Sequence, residues 1–262
     1  MSAAADQTVR IVLRTPDWEV QSTMTVPGAP AAIEAWMPLL QGLASQSAQA
    51  AEDAAAAEGK QVSCAKGCGA CCRQLVAISW VEARALARLV ADMPLARQTR
   101  IRARFSAALE RISQSGVTRR DYEAGPSPAE APLAETADQR LASAWFRLGV
   151  ACPFLEDEAC SIHEDRPLTC REYLVTSPAS RCARLYREPV DRLDLSTRVG
   201  AAVARATAQI AGVPVATIPL VTALQLPPDI DKALATPRDM IAMLEIILAE
   251  IGDWRVDRPP PP

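Results

Sequence analysis

Cysteine placement constrains this chain more than any other feature. Eight cysteines occur in 262 residues. Cys64, Cys68, Cys71 and Cys72 crowd into the run CAKGCGACC, while Cys152, Cys160, Cys170 and Cys182 form a looser group farther along. A metal ion or iron–sulfur cluster needs several thiolates within a few ångströms, and spacers of two or three residues let one tight loop supply them without strain. Gly67 and Gly69 suit that loop, because glycine permits positive φ and lets backbone N–H groups turn toward sulfur. Lys66 and Arg73 place positive charge beside it. Four thiolates around a divalent ion leave a net charge of about minus two, which such donors help to offset.

The vicinal pair is the revealing detail. Adjacent side chains point to opposite faces of a strand and diverge by about 100° on a helix. Cys71 and Cys72 are therefore expected to be awkward partners on one mononuclear centre, with one of them serving a second metal, a larger cluster or another role. Eight thiols allow two four-thiolate sites, or one four-thiolate cluster with thiols to spare. The plainer alternative, a cysteine acting as an inert buried hydrophobe, applies best to the isolated Cys182.

Composition narrows the setting. The chain is 49% hydrophobic but only 4% aromatic, and 49 of its residues are alanine. Alanine buries little area, so the core is expected to be thin and mostly helical. Arg outnumbers Lys by 25 to 3, yet the net charge is only −3, which gives no global electrostatic argument for nucleic acid. Glu82 to Arg120 is Arg-rich and Asp121 to Cys160 is acidic, but without interleaved aromatics or a recognised module no RNA partner is expected. Met1 to Arg10 lacks the apolar stretch of a secretory signal, so cytoplasmic residence is the expectation. Thiols stay reduced there, and closely spaced cysteines then point to metal before disulfides. Ala206 to Pro228 is uncharged and of membrane length, but its prolines and polar residues read as a buried helix followed by irregular chain, with no membrane partner.

The expected fold is mainly α: an irregular helical domain around a cysteine-ligated metal site, with a small N-terminal β-hairpin. Val9, Ile11 and Leu13 alternate in Thr8 to Arg14, and Glu19 to Val26 repeats the pattern more weakly after Pro16 and Asp17. Ala31 to Glu58 favours helix, with Trp36, Leu39, Leu40 and Leu43 as its stripe and an Ala-rich tail after Gln46 expected to fray. Ser79 and Glu82 form a capping box before a helix stopped by Pro94, and a second helix ends before Gly116. Pro126, Pro128 and Pro132 mark a linker, followed by a helix over about 134–148. A later helix spans about 196–211. Thr236 and Pro237 are expected to open a last helix, closed by Gly252. This gives an extension over residues 1–60, a cysteine-cluster unit over 61–186 and a helical extension over 187–262.

Two resemblances follow from the motifs. The CxxxCxxC spacing of Cys64, Cys68 and Cys71 matches that of radical S-adenosylmethionine enzymes, but the chain continues into Arg-rich helices where those enzymes need alternating strands and helices, so that fold is not adopted. CxxxCxxCC together with CPFL at Cys152, C-x-I-H-E-x-R-P at Cys160 and C-R-x-Y at Cys170 resembles the YkgJ-type cysteine-cluster family, a zinc- or iron-chelating domain, over about Gln61 to Tyr186. The resemblance implies metal binding by Cys64, Cys68, Cys71, Cys72, Cys152, Cys160 and Cys170, with Cys182 at the less regular last position. Flagellin lysine N-methylases carry a similar cysteine pattern. His163, where relatives often have tyrosine, lies within reach of the same centre. Arg171 joins Lys66 and Arg73 as a charge donor around it, whereas Arg166 is read as pairing with nearby acids and Tyr173 as packing.

The sequence therefore predicts a protein holding an iron–sulfur cluster, 4Fe-4S preferred because of the adjacent cysteines, or a zinc or iron ion. A structural zinc module, a metal carrier and a cluster-dependent group-transfer enzyme are the alternatives. An unidentified protein or redox partner accompanies the first reading.

Overall fold

The computed structural model describes residues 5–115, 137–214 and 217–257. The Pro126 to Pro132 linker and the Pro-rich tail lie outside those residues. Helix dominates, and the N-terminal hairpin forms where the alternation places it. β1 (Gln7–Arg14) pairs antiparallel with β2 (Glu19–Val26), and Val9, Ile11 and Leu13 turn inward from β1. The hairpin is not isolated. The late strand β7 (Asp253–Asp257) adds antiparallel to the other edge of β1, giving a sheet of order β2-β1-β7. From the sequence, the last helix is expected to stop at Gly252, with no strand after it. The third strand forms because β1 offers a free edge of N–H and C=O groups that needs a partner.

A short 3-10 turn (Ile33–Trp36) leads into α1 (Met37–Ala57). Its Ala-rich end does not fray. Ala48 and Ala55 are buried, and the buried Ser47 hydroxyl donates to the Thr197 carbonyl at 2.8 Å. Small side chains there allow close approach of the neighbouring segment, and tertiary contact supplies what an isolated alanine helix end lacks. The main core gathers the sheet, α1, Val81 and Leu168 together with α6 (Val199–Ala211), α7 (Pro228–Ala235) and α8 (Met240–Ile251). Both extensions thus share one core with the cysteine segment. α8 opens at Asp239, whose carboxylate accepts from the Ala242 N–H at 2.7 Å. Thr236 and Pro237 instead follow α7, since Arg238 exchanges backbone hydrogen bonds with Ala31 and cannot be helical.

A second cluster carries the metal-site segment. The capping box forms as expected: Ser79 opens α2 (Trp80–Ala91), with Glu82 closing the reciprocal pair. α3 (Leu95–Gln114) packs back on α2, and β3 (Ala77–Ser79) pairs with β6 (Thr217–Pro219). Ile78, Leu86, Val90, Ile101, Phe105, Phe154, Ile162 and Leu220 form the cluster's interior. The Phe105 and Phe154 rings meet edge to face at 5.4 Å between centroids. α4 (Ala137–Arg147) contributes Trp145 to a small adjoining cluster with Ala108, Val150 and Val221. Among the described residues, no helix is long and apolar enough to cross a membrane.

Candidate metal centre

The CAKGCGACC run folds as an irregular loop ending in a 3-10 turn (Ala70–Arg73). Gly67 takes φ +96°, which only glycine adopts without strain. Gly69 has an ordinary negative φ, so the expectation of positive φ holds for Gly67 and not for Gly69. Its requirement is space: a Cβ there would sit 2.4 Å from the Glu158 carbonyl oxygen. The group pressing on it belongs to a tight hairpin, β4 (Leu155–Glu156) and β5 (Ala159–Cys160), turned by Asp157 and Glu158, both at positive φ. The Cys152 N–H donates to the Cys72 carbonyl at 2.7 Å, which locks loop and hairpin together.

Cys170 comes from α5 (Leu168–Glu172), a helix of little more than one turn, placed by a buried carboxylate. Glu82 accepts from the Leu168 N–H at 2.8 Å through one oxygen, and from the Ser79 N–H at 2.8 Å and hydroxyl at 2.7 Å through the other. One side chain therefore caps α2 and anchors the start of α5. Cys182 lies on a 3-10 turn (Ala179–Arg184) that packs against the Ala70–Arg73 turn. The chain before Cys64 is tied to the same region: Ser63 donates its N–H to Val175 at 2.9 Å and its hydroxyl to Ser177 at 2.6 Å.

All eight cysteines line one cavity of about 290 Å³, and all eight are free thiols. The rest of the wall is mainly apolar, with Val62, Val76, Phe154, Ile162 and Leu220 among it. The vicinal thiols do not turn to opposite sides: Cys71 and Cys72 both face the cavity. Among the described residues, no three His, Cys, Asp or Glu side chains already close around a single point as ligands to one ion do. Neutral thiols have no reason to do so, since only a metal draws sulfur to about 2.3 Å from a common centre.

The thiols resist ionisation while no cation faces them. Burial pushes Cys152 up to about 12 and Cys182 up to about 11, and it holds Cys170 well above the ordinary thiol range. Cys71 is raised by the neighbouring Cys72 thiol first and by burial second. Burial also raises Cys64 and Cys160. A nucleophilic cysteine needs the opposite shift, whereas a metal ion supplies the charge that turns such thiols into thiolates. The donor set thus fits a thiophilic metal or an iron–sulfur cluster.

Arg166 is a half-buried cation of the cavity wall. Its charge favours the thiolate forms of Cys64, Cys71 and Cys160, and among the described residues no carboxylate pairs with it. Its guanidinium touches His163, while its Nε is buried without a hydrogen-bond partner. From the sequence, Arg166 is expected to pair with nearby acids. The structure turns it inward because Glu164 is engaged by Lys66 and His163 at the exposed rim.

The three expected charge donors stand farther out. Lys66 reaches the cavity rim but is exposed and pairs with Glu164 at 3.4 Å. Arg73 makes a two-pronged contact with Glu158, at 2.9 and 2.6 Å, near Cys72. Arg171 spends its guanidinium on the Arg166 and Glu164 carbonyls and the Ser45 hydroxyl and does not line the cavity. His163 lines it, held below its usual pKa by burial and by Arg166. Tyr173 also lines it: its hydroxyl is buried beside Gln74 and Cys182, and burial pushes it up to about 12. Neither Arg166 nor Tyr173 carries a sequence signal that separates facing the cavity from packing or pairing.

Comparison with curated proteins and with solved structures returns no match. Residues 63–185 match the family model CxxCxxCC, described as "Putative zinc- or iron-chelating domain", and this stretch of the chain is similar to that cysteine-cluster family.

Proposed function

We propose that the cavity holds an iron–sulfur centre, 4Fe-4S preferred, ligated by its cysteine thiolates, and that the protein works in the reducing cytoplasm as an electron-transfer or cluster-bearing component with a protein redox partner. One observation carries the reading: eight thiols from separate segments line a single cavity beside an arginine that has no carboxylate among the described residues. A guanidinium facing neutral thiols would be a poorly compensated charge, whereas thiolates on a metal give it a counter-charge. The cavity is also far roomier than one ion requires. With eight thiols available no iron need lack a protein ligand, which favours electron transfer over chemistry at an open iron.

Zinc in closed thiolate sites is the second reading, favoured by the all-sulfur donor set. Anaerobic isolation followed by iron, sulfide and zinc analysis and a visible spectrum separates the two. Iron with matching sulfide and a brown colour is expected. Colourless protein with stoichiometric zinc overturns the iron–sulfur assignment, and protein that binds neither metal overturns the metal-centre reading.

A further inference from the structure

The eight thiols do not form one undivided ring. The strongest electrostatic neighbours of Cys170 among the cysteines are Cys152, Cys71 and Cys160, and those of Cys152 are Cys160 and Cys71. For Cys182 they are Cys64, Cys71 and Cys68, and for Cys64 they are Cys71 and Cys68. The backbone agrees with this division. Cys152 and Cys160 flank the β4–β5 hairpin and pack against the second hydrophobic cluster, with Cys170 on the adjacent short helix. Cys64 and Cys68 lie on the loop tied to residues 175 and 177, and the turn bearing Cys182 packs on the turn bearing Cys71 and Cys72. The vicinal pair touches both groups: Cys71 is a neighbour of Cys152 and Cys170 and equally of Cys64 and Cys182, the Cys72 carbonyl accepts from the Cys152 N–H, and the turn that carries the pair packs on the turn of Cys182.

We infer that the cavity holds two metal sites joined at the vicinal pair: a core-side site built from Cys152, Cys160, Cys170 and one of Cys71 and Cys72, and a rim-side site built from Cys64, Cys68, Cys182 and the other. Each set supplies four thiolates, the number that closes a tetrahedral site or a cluster. The vicinal pair suits the junction, because two sulfurs on neighbouring residues can serve two centres that one sulfur could not reach without bridging. The sites differ in support. Cys152 and Cys160 rest on packed apolar side chains, whereas in the rim-side set only Cys182 is buried and Cys68 is exposed on a loop without regular structure. Rim-side metal therefore exchanges first.

This inference rests on the metal-centre reading, and cobalt(II), added alone to the reduced, metal-free full chain under anaerobic conditions, tests the two separately. The thiolate-to-cobalt absorption reports how many sulfurs surround each ion. Two equivalents are expected, each with the signature of four thiolates, and a competing chelator withdraws one of them well before the other. At one equivalent, alkylation followed by mass spectrometry is expected to leave Cys152, Cys160, Cys170 and one member of the vicinal pair protected while Cys64, Cys68 and Cys182 are modified; at two equivalents all eight are protected. That footprint uses the unaltered chain and so does not depend on a variant folding. Cys64→Ser is expected to lose only the fast-exchanging equivalent, and Cys160→Ser only the slow one. A single equivalent, or protection that ignores the division, overturns the two-site inference and leaves the metal centre standing. Cobalt that gains no thiolate absorption overturns both.

Discussion

Cys170 and Cys68 face the same cavity from walls built in different ways. Around Cys170 the wall is secondary structure: a short helix anchored by Glu82, a hairpin turned by Asp157 and Glu158, and apolar side chains led by Phe154 and Ile162. Around Cys68 it is loop, with Gly67 in a left-handed conformation and the chain tied by backbone and serine hydrogen bonds near Ser63. Burial in the first region holds the Cys170 thiol far from ionisation, while Cys68 stands in contact with solvent. The contrast shows that a thiol site can be half prebuilt by a hydrophobic core and half left to be organised by what it binds.

The largest effect expected from this contrast is between two serine substitutions. Cys170→Ser is expected to weaken metal retention by more than the 10–100-fold that outer-shell substitutions cost, and to lower the stability of the loaded protein, because it removes a ligand that burial has already positioned. Cys68→Ser is expected to cost less on both counts. Metal analysis after dialysis against a chelator and a denaturant melt check the order, and equal losses would break the comparison.

Gly69→Ala probes the seam between the two walls. The added methyl would meet the Glu158 carbonyl at 2.4 Å, so loop and hairpin must part. A loss of about 1–3 kcal/mol is expected, the range of overpacking in closely fitted sites. Thermal denaturation measures it, and an unchanged midpoint would mean that the hairpin does not press on the loop.

Glu82→Gln tests the anchor of the core side alone. An amide can accept at one end but not at both, so one of the two groups of donors loses its acceptor, at a cost of about 1–3 kcal/mol. Burial raises the Glu82 carboxyl above its ordinary value of 4.5, so the folded chain holds that proton more tightly than the unfolded chain. The resulting stability is fully present below pH 4.5 and is lost as pH rises through the raised value. The gap between parent and variant is therefore expected to narrow with rising pH. Denaturant midpoints taken below and above that window check the sign.

The smallest effects come from the arginines. Arg166→Gln is expected to lower the midpoint potential of a bound iron–sulfur centre by some tens of millivolts, since it removes a positive charge from the cavity wall. Arg73→Gln is expected to change the potential much less and stability by under about 1 kcal/mol, because its partner Glu158 is largely exposed. Redox titration of both variants sharpens the distinction, and equal shifts would remove Arg166 from its assigned place.

Much of this was legible in the residues themselves. The alternation of Val9, Ile11 and Leu13 marked an inward strand face, and Ser79 with Glu82 marked a helix start, because strand pleat and helix capping are set within a few residues of chain. Glu82 also bonds to Leu168, a partner that local spacing does not reveal. The Ala-rich end of α1 lacked a stripe of large side chains, yet Ser47 and Ala48 found cover in a neighbour distant in sequence.

The sequence by itself determined that the chain carries closely spaced thiols of the kind that suit a thiophilic metal, because spacing within CAKGCGACC and the chemistry of sulfur are local facts. Only the tertiary structure decided which thiols stand together: Cys182 beside Cys64 and Cys68, Cys170 beside Cys152 and Cys160, and Cys71 near both groups. It also turned Arg166 inward and closed the N-terminal hairpin with a strand from the far end of the chain. These are contacts between segments tens to hundreds of residues apart, chosen by packing and by pairing of backbone groups across the whole core.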